Sequence, residues 1–134
     1  MDIYSLCDGG IWRGGASSDS LEACEKIMGV RFPDDYRNFI LKYGCGSKGG
    51  VEIAGIDKVL ISDGNVLTRT ILSLREYRHY PKYFIFFSDT GDGGQICFDY
   101  RDWSIHEVYA RPPKGLEANK IADSFYDFLK SKFH

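Results

Sequence analysis

Residues 84–100, FIFFSDTGDGGQICFDY, set a run of aspartate and glycine between two apolar segments. The segment before it, YFIFF at residues 83–87, is continuously apolar, which predicts a central strand buried on both faces. The segment after it, QICFDY at residues 95–100, alternates in polarity, as a second strand would. Asp-Gly and Gly-Gly pairs favour a turn because they tolerate positive φ. The stretch therefore predicts two antiparallel strands joined by a glycine turn.

The aspartates of this turn lack the spacing of an ion-binding loop. An EF-hand loop that began at Asp89 would need oxygen ligands at its third and fifth positions and a glutamate at its twelfth. The sequence has Gly91, Gly93 and Tyr100 there. A phosphate-binding loop would lead into a helix N-terminus, whereas these glycines lead into a predicted strand. We therefore expect neither a metal nor a phosphate at this turn.

Asp99 lies inside the second predicted strand, on the face opposite Phe98 and Tyr100. A buried carboxylate without hydrogen-bond donors would be costly. We expect Asp99 to face solvent, and the alternative of a buried Asp99 with donors stays open.

Two helices are predicted before the hairpin. The first begins at Ser17, Ser18 or Asp19 as the cap, with Glu22 available for a capping box, and ends at Gly29. The second begins with Pro33 at its first position and ends at Gly44. The residues predicted to be buried are Leu21, Cys24, Ile27 and Met28 in the first helix and Tyr36, Phe39, Ile40 and Tyr43 in the second.

The rest of the chain predicts an α+β fold with a mostly antiparallel sheet packed against about four helices. Glycines 46, 49 and 50 predict a flexible loop before a short strand at residues 51–54, and SIHEVY predicts another strand. A third helix is expected over residues 66–80, capped by Asp63 or Asn65 and ended by Pro81. A fourth is expected over residues 119–133, with Ile121 and Phe125 on its buried side. We expect one domain, residues 1–134; residues 1–16 give no clear pattern.

Composition excludes some classes of function. The net charge is −2 and the pI is about 5.9, so the chain lacks the basic footprint of a nucleic-acid binder. No apolar run reaches the length of a membrane span, and the first ten residues do not resemble a secretory signal. We expect a cytoplasmic protein with reduced cysteines and no direct contact with nucleic acid or membrane.

No residue pattern predicts catalysis. The histidines at 79, 106 and 134 are scattered, and no Cys or His pair has zinc-finger spacing. Cys45 has a glycine-rich context that indicates exposure, but no nucleophile elbow surrounds it or Ser47. Two carboxylates brought together by the fold stay open as an alternative. We expect a protein that is not an enzyme and that has no cofactor.

Three blocks in this order resemble the SUKH superfamily over residues 17–131. The block at 21–50 is similar to the family's opening helix, its Leu-Pro-x-Asp-Tyr entry to a second helix and its Tyr-Asn-Gly-Gly end, although Phe32 replaces the Leu and Gly44-Cys45-Gly46 replaces Asn-Gly-Gly. FSDTGDGGQICFDY resembles the central turn and strand, and IADSFYDFL the closing helix. The matching residues of the first block are Glu25, Gly29, Pro33, Tyr36, Phe39, Tyr43, Gly44 and Gly46.

The resemblance implies an α+β immunity protein of a bacterial toxin system, which binds and neutralises a cognate toxin, often a nuclease, by occlusion. It also implies an alternative, a scaffold or regulator like the family's cell-wall-synthesis regulators, and no catalytic residues. A small ligand-binding domain is a further alternative. A nuclease has a basic cleft, so we predict acidic contacts in loops and aromatic anchors beside them. The predicted partner-binding residues are Asp63, Tyr77, Tyr80, Asp89, Asp92, Asp102 and Trp103.

Overall fold

The computed structural model describes residues 2–58, 64–76, 80–111 and 115–133. Five helices and seven strands occur in these ranges. The helices are α1 Ile3–Cys7, α2 Ser18–Met28, α3 Asp34–Tyr43, α4 Val66–Glu76 and α5 Phe125–Lys132. The strands are β1 Ile11–Trp12, β2 Gly46–Lys48, β3 Val51–Ile53, β4 Phe84–Asp89, β5 Gln95–Asp99, β6 Ser104–Arg111 and β7 Gly115–Ala122.

The strands form two antiparallel sheets, one in the order β1-β2-β3 and one in the order β4-β5-β6-β7. The sheets meet where the Ala54 amide, just after β3, donates a 2.7 Å hydrogen bond to the Phe87 carbonyl of β4. The predicted α+β class with a mostly antiparallel sheet is therefore confirmed. The predicted hairpin of β4 and β5 is also confirmed.

The helix ends follow the polar and glycine signals with small shifts. Ser17 is the N-cap of α2 and accepts from the Ser20 amide at 3.1 Å, so Glu22 lies beyond the capping box. Gly29 ends α2 with a φ of 72°. Pro33 is the N-cap of α3 rather than its first residue. The prediction that Ile27 is buried is wrong, because its side chain is 69% exposed at the end of α2.

The glycine loop before residue 51 contains more structure than we predicted. Residues 46–48 form β2, which pairs with β3 through a turn at Gly49 and Gly50. Both glycines have positive φ, 57° and 80°, as a tight two-residue hairpin requires. These two glycines therefore form the tight turn between β2 and β3 rather than a loose loop.

The helix predicted over 119–133 begins only at Phe125. Ser124 caps it and accepts from the Asp127 amide at 3.1 Å. The preceding residues pair with β6 as strand β7. Ile121, which we predicted to be buried on the helix, lies in β7 with 38% of its side chain exposed. Local helical spacing was overridden here by backbone pairing with β6 and by the serine cap.

Tyr36 is the centre of the main core. Its ring is fully buried and lies 4.9 Å from the ring centroids of both Phe98 and Phe125. Its hydroxyl donates a 2.6 Å hydrogen bond to the Ala54 carbonyl, at the junction of the two sheets. A second cluster on the opposite face of the larger sheet consists of Tyr80, Phe84, Phe86, Cys97 and Val108. The prediction that β4 is buried on both faces is therefore confirmed.

Glu25 fixes the turn between α2 and α3. It is only 7% exposed, and its carboxylate accepts from the Phe32 amide at 2.7 Å. The Arg37 guanidinium donates to both carboxylate oxygens at 3.0–3.3 Å. These charge-assisted bonds satisfy a buried charge that would otherwise destabilise the fold.

We expect Tyr36→Phe to lower the free energy of unfolding by about 1–3 kcal/mol, because the buried Ala54 carbonyl loses its donor. Urea denaturation measures this value. Tyr43→Phe is the matched control: its hydroxyl lies 3.5 Å from the Tyr4 carbonyl in an exposed position, so the expected loss is under about 0.5 kcal/mol. Equal losses in the two variants would contradict the role given to the Tyr36 hydroxyl.

Candidate protein-binding surface

The turn between β4 and β5 is held by its own side chains. Asp89 accepts from the Gly91 amide at 3.0 Å and from the Arg69 guanidinium at 2.9 Å. Thr90 Oγ1 donates to Asp92 and accepts from the Gly94 amide at 2.9 Å. The two aspartates therefore already accept hydrogen bonds from protein donors, as in a structured turn.

Tyr109 of β6 packs directly on this turn. A Cβ atom at residue 94 would lie 2.5 Å from Tyr109 Cε1, so any side chain there would have to displace the ring. The Tyr109 hydroxyl donates to Asp92 Oδ1 at 3.0 Å. The hydrogen bond from the Thr90 hydroxyl, and then that from Tyr109, lowers the pKa of Asp92 below its usual value. Asp92 is thus fixed as an exposed anion.

Neighbouring residues extend this turn into a charged surface that we call the acidic face: Asp92, Glu107, Tyr109, Arg111 and Glu117. In the sheet, Tyr109 lies opposite Glu117, and Glu107 is two residues from Tyr109 and so on the same side. Arg111 stacks over the Tyr109 ring at 4.6 Å and donates to Glu117 at 3.3 Å. Three carboxylates and one guanidinium give the face a formal charge of −2.

A cleft of about 640 Å³ lies beside the smaller sheet. Ile11, Arg13, Glu52, Asp57 and Arg69 are among the residues that line it. The Ile11 side chain at its edge is 80% exposed. Arg69 links the cleft to the turn through its ion pair with Asp89.

The structure places Asp102 and Trp103 at the other end of β5, away from Asp89 and Asp92. Asp102 accepts from the Ser104 amide and hydroxyl at 3.0 and 2.6 Å. Trp103 has a φ of 63°, and its half-buried ring packs edge-on against Phe32 and Phe98. The predicted partner-binding residues therefore do not form one patch.

Two of the remaining predicted contacts, Asp63 and Tyr77, lie outside the described residues. Tyr80 is 6% exposed and stacks on Phe86 at 5.3 Å, so its ring packs in the second core cluster. The sequence analysis missed Tyr109, Glu107 and Glu117. Alternation within SIHEVY could have placed Glu107 and Tyr109 on one face of the strand, whereas the contact of Tyr109 with the turn is a long-range one.

Asp99 does not face solvent, so that prediction is wrong. The residue is 5% exposed, and the guanidinium of Arg101 donates to both its carboxylate oxygens at 2.7–3.2 Å. The hydrogen bonds from the Arg101 side chain are the main cause of a lowered pKa of Asp99. Arg101 itself stacks over the Tyr83 ring at 3.6 Å. This is the open alternative of a buried carboxylate with donors.

The four cysteines are free and buried, including Cys45, which is 1% exposed. The exposure that its glycine-rich context indicated is therefore wrong. Burial raises the pKa of Cys7, Cys24 and Cys45 to about 11 and that of Cys97 further still. Such thiols stay protonated near neutral pH and are poor nucleophiles.

Within residues 2–58, 64–76, 80–111 and 115–133, no three His, Cys, Asp or Glu side chains come together as ligands for a metal ion. In the same ranges, none of the helices combines the length and apolar character needed to cross a membrane.

The family comparison covers most of the described chain. The model of the SMI1-KNR4 cell-wall family, SUKH_6, matches residues 18–129, from the start of α2 to the middle of α5. The chain belongs to this family and hence to the SUKH superfamily. A search among curated proteins gave no match.

Asp99→Asn tests the ion pair between the buried Asp99 and the exposed Arg101 through its pH dependence. Because the folded-state pKa of Asp99 is lowered, its stabilisation is present above the unfolded value of about 3.9 and is lost as pH falls through the folded value. We expect the variant to be less stable than the wild type at pH 7, with a difference that begins to shrink as the pH falls below about 4, measured by urea denaturation. The exposed Asp8→Asn is the control; a pH-independent difference for Asp99→Asn would contradict the pairing.

Gly94→Ala should displace Tyr109 and break its hydrogen bond to Asp92. We expect a loss of about 1 kcal/mol in the free energy of unfolding, and a smaller loss when the same change is made in a Tyr109→Ala background. This double-mutant cycle isolates the contact of the glycine with the ring. Equal losses in both backgrounds would contradict it.

Proposed function

We propose that this protein is a non-catalytic binding protein that acts as an immunity protein. It neutralises a cognate toxin, a nuclease, by covering the basic cleft that holds the toxin's nucleic-acid substrate. Membership of the SUKH superfamily supports a role of this type, because the resemblance of this chain to that superfamily in the three sequence blocks described above implies a toxin-binding protein.

The observation that carries the proposal is the preformed acidic face. Asp92, Tyr109, Arg111 and Glu117 are linked side chain to side chain, so this surface is ordered before any partner arrives. Binding then costs little additional side-chain entropy. A half-buried tyrosine held among carboxylates matches the aromatic and charged composition of binding hot spots.

The charge of the face also matches the proposed partner. A nuclease concentrates positive charge where it binds phosphates. An acidic surface is attracted to such a cleft, which accelerates association and orients the complex at low ionic strength. Acidic side chains can occupy the sites that phosphates would otherwise take, without any chemical step on the immunity protein.

Co-expression with the product of the neighbouring upstream gene tests this function. We expect that product to stop growth when expressed by itself, and the wild-type chain to restore growth. The double variant Glu107→Lys/Glu117→Lys should restore growth at least tenfold less well, because it reverses two charges of the acidic face. It should also weaken binding of the purified toxin and reduce the dependence of association on salt.

The matched control is Asp8→Lys/Glu22→Lys, which makes the same change in charge at exposed positions outside the acidic face. It should protect as well as the wild type. A neighbour that is not toxic, or toxicity that persists with the wild-type chain, would overturn the function for that pair. Equal loss in both double variants would overturn the assignment to the acidic face.

A regulatory scaffold is the second candidate, favoured by the cell-wall description of the matched family. In that case the partner is a protein that is not toxic. A genomic neighbourhood without toxin-like genes, combined with loss of binding to a non-toxic partner in Glu107→Lys/Glu117→Lys, would favour the scaffold over the immunity protein.

A small ligand-binding domain is the third candidate, favoured by the cleft of about 640 Å³, a size common for ligand sites. It predicts a saturable rise in melting temperature with Ca²⁺, Mg²⁺ or inorganic phosphate. A flat titration with all three would count against it.

A further inference from the structure

The strand β7 is exposed to an unusual degree. Six of its eight residues are exposed and two are half-buried. Strands of antiparallel sheets normally bury one face against a core. Apart from the half-buried Leu116 and Ala122, no residue of β7 is covered on either face by the described part of the chain. It is held mainly by its backbone ladder to β6.

Within the described residues, the backbone groups on the outer edge of β7 have no hydrogen-bond partner. β7 is the last strand of the larger sheet, and none of the described residues outside β6 makes a hydrogen bond to the backbone of Gly115–Ala122. In an antiparallel edge strand, alternate residues direct both N–H and C=O away from the sheet. β7 therefore offers a row of donors and acceptors for another strand.

The opposite edge of the same sheet is covered. The Phe86 amide of β4 donates to Thr70 Oγ1 at 3.0 Å, and the Phe87 carbonyl accepts from Ala54 at 2.7 Å. Ser88 in turn donates to the Glu52 carbonyl. The fold thus satisfies one edge with α4 and β3 and leaves the other edge open.

We propose that β7 takes up an extended segment of the partner protein as a fifth strand of the sheet. The acidic face is continuous with β7, because Glu117 belongs to both. This inference rests on the proposed function for the basic character of the partner, and it specifies how the partner binds.

The side chains of β7 define the chemistry of that segment. On the acidic face, an added strand would lie beside Glu117 and Asn119, with Glu107 one strand further in. On the other face it would lie beside Leu116 and Ala118. Lys120 shares that face, but its amine is already paired with Asp123 at 2.5 Å. The segment that fits has basic residues alternating with apolar ones.

A second copy of this chain fits less well. Facing residues of two strands share a face of the sheet, and two-fold symmetry then centres the pairing on one residue. If the pairing of two β7 strands is centred on Ala118, Leu116 of one copy lies opposite Lys120 of the other. If it is centred on Asn119, Glu117 lies opposite Ile121. Glu117 and Lys120 lie on opposite faces, so no charge pair forms in either arrangement.

The test uses the full chain and a ten-residue synthetic peptide in which Lys alternates with Val and Thr. Backbone amides are followed by NMR hydrogen exchange with and without the peptide. We expect protection of alternate β7 amides to rise at least tenfold in the complex. The peptide with Glu in place of Lys should not protect them, and Glu117→Lys should weaken binding of the Lys peptide about tenfold.

Two proline variants separate strand addition from simple charge attraction. Ala118 and Asn119 are adjacent, so one of them directs its N–H outward and the other directs it to β6. We call the variant with proline at the residue whose N–H points outward the outward proline variant. We expect it to keep the melting temperature within a few degrees and to lose peptide binding. Unchanged β7 amides with the peptide would overturn the inference, as would a dimer of the free chain with β7 already protected.

Failure of this inference can be told from failure of the proposed function. If the outward proline variant still neutralises the toxin in cells, the inference fails and the function stands. If the neighbouring gene product is not toxic but the peptide protects β7, the function fails and strand addition stands.

Discussion

The hydrogen bond from the Tyr36 hydroxyl to the Ala54 carbonyl is the contact on which the rest of the structure depends. It joins a helix to the junction of the two sheets, where Ala54 also donates to Phe87. The Tyr36 ring meanwhile packs against residues of β5 and α5. One side chain thus fixes the relative positions of α3, α5 and both sheets, which sets where the acidic face and β7 lie.

Much of this core could be predicted from the sequence because its signals are local. The spacing of Tyr36, Phe39 and Ile40 gives the buried stripe of α3, and the apolar run at 83–87 gives β4. Strand β7 could not be predicted, because exposure on both faces leaves no alternation to read. The pairing of Asp99 with Arg101 was missed for a different reason. Residues two positions apart are expected on one face only inside a continuous strand, whereas β5 ends at Asp99 and Arg101 lies beyond it.

Only part of the candidate surface was predicted, because only part of it comes from residues that are neighbours in the sequence. The aspartates of the glycine turn are visible in the sequence, but their neighbours come from β6 and β7, which the fold brings alongside. Gly94 illustrates the difference. The sequence indicates a turn glycine, whereas the structure gives its reason as the ring of Tyr109, fifteen positions further along the chain.

The two turns that flank β5 differ in how freely their sequences can vary. Trp103 holds its turn in a left-handed conformation that costs a non-glycine residue about 1 kcal/mol, and its ring packs into the core against Phe98. A change there disturbs the interior. The turn at residues 90–94 is held by Thr90, Asp92 and Tyr109 at the surface. Substitutions in the turn at residues 90–94 can therefore change which partner this surface binds without changing the packing of the interior.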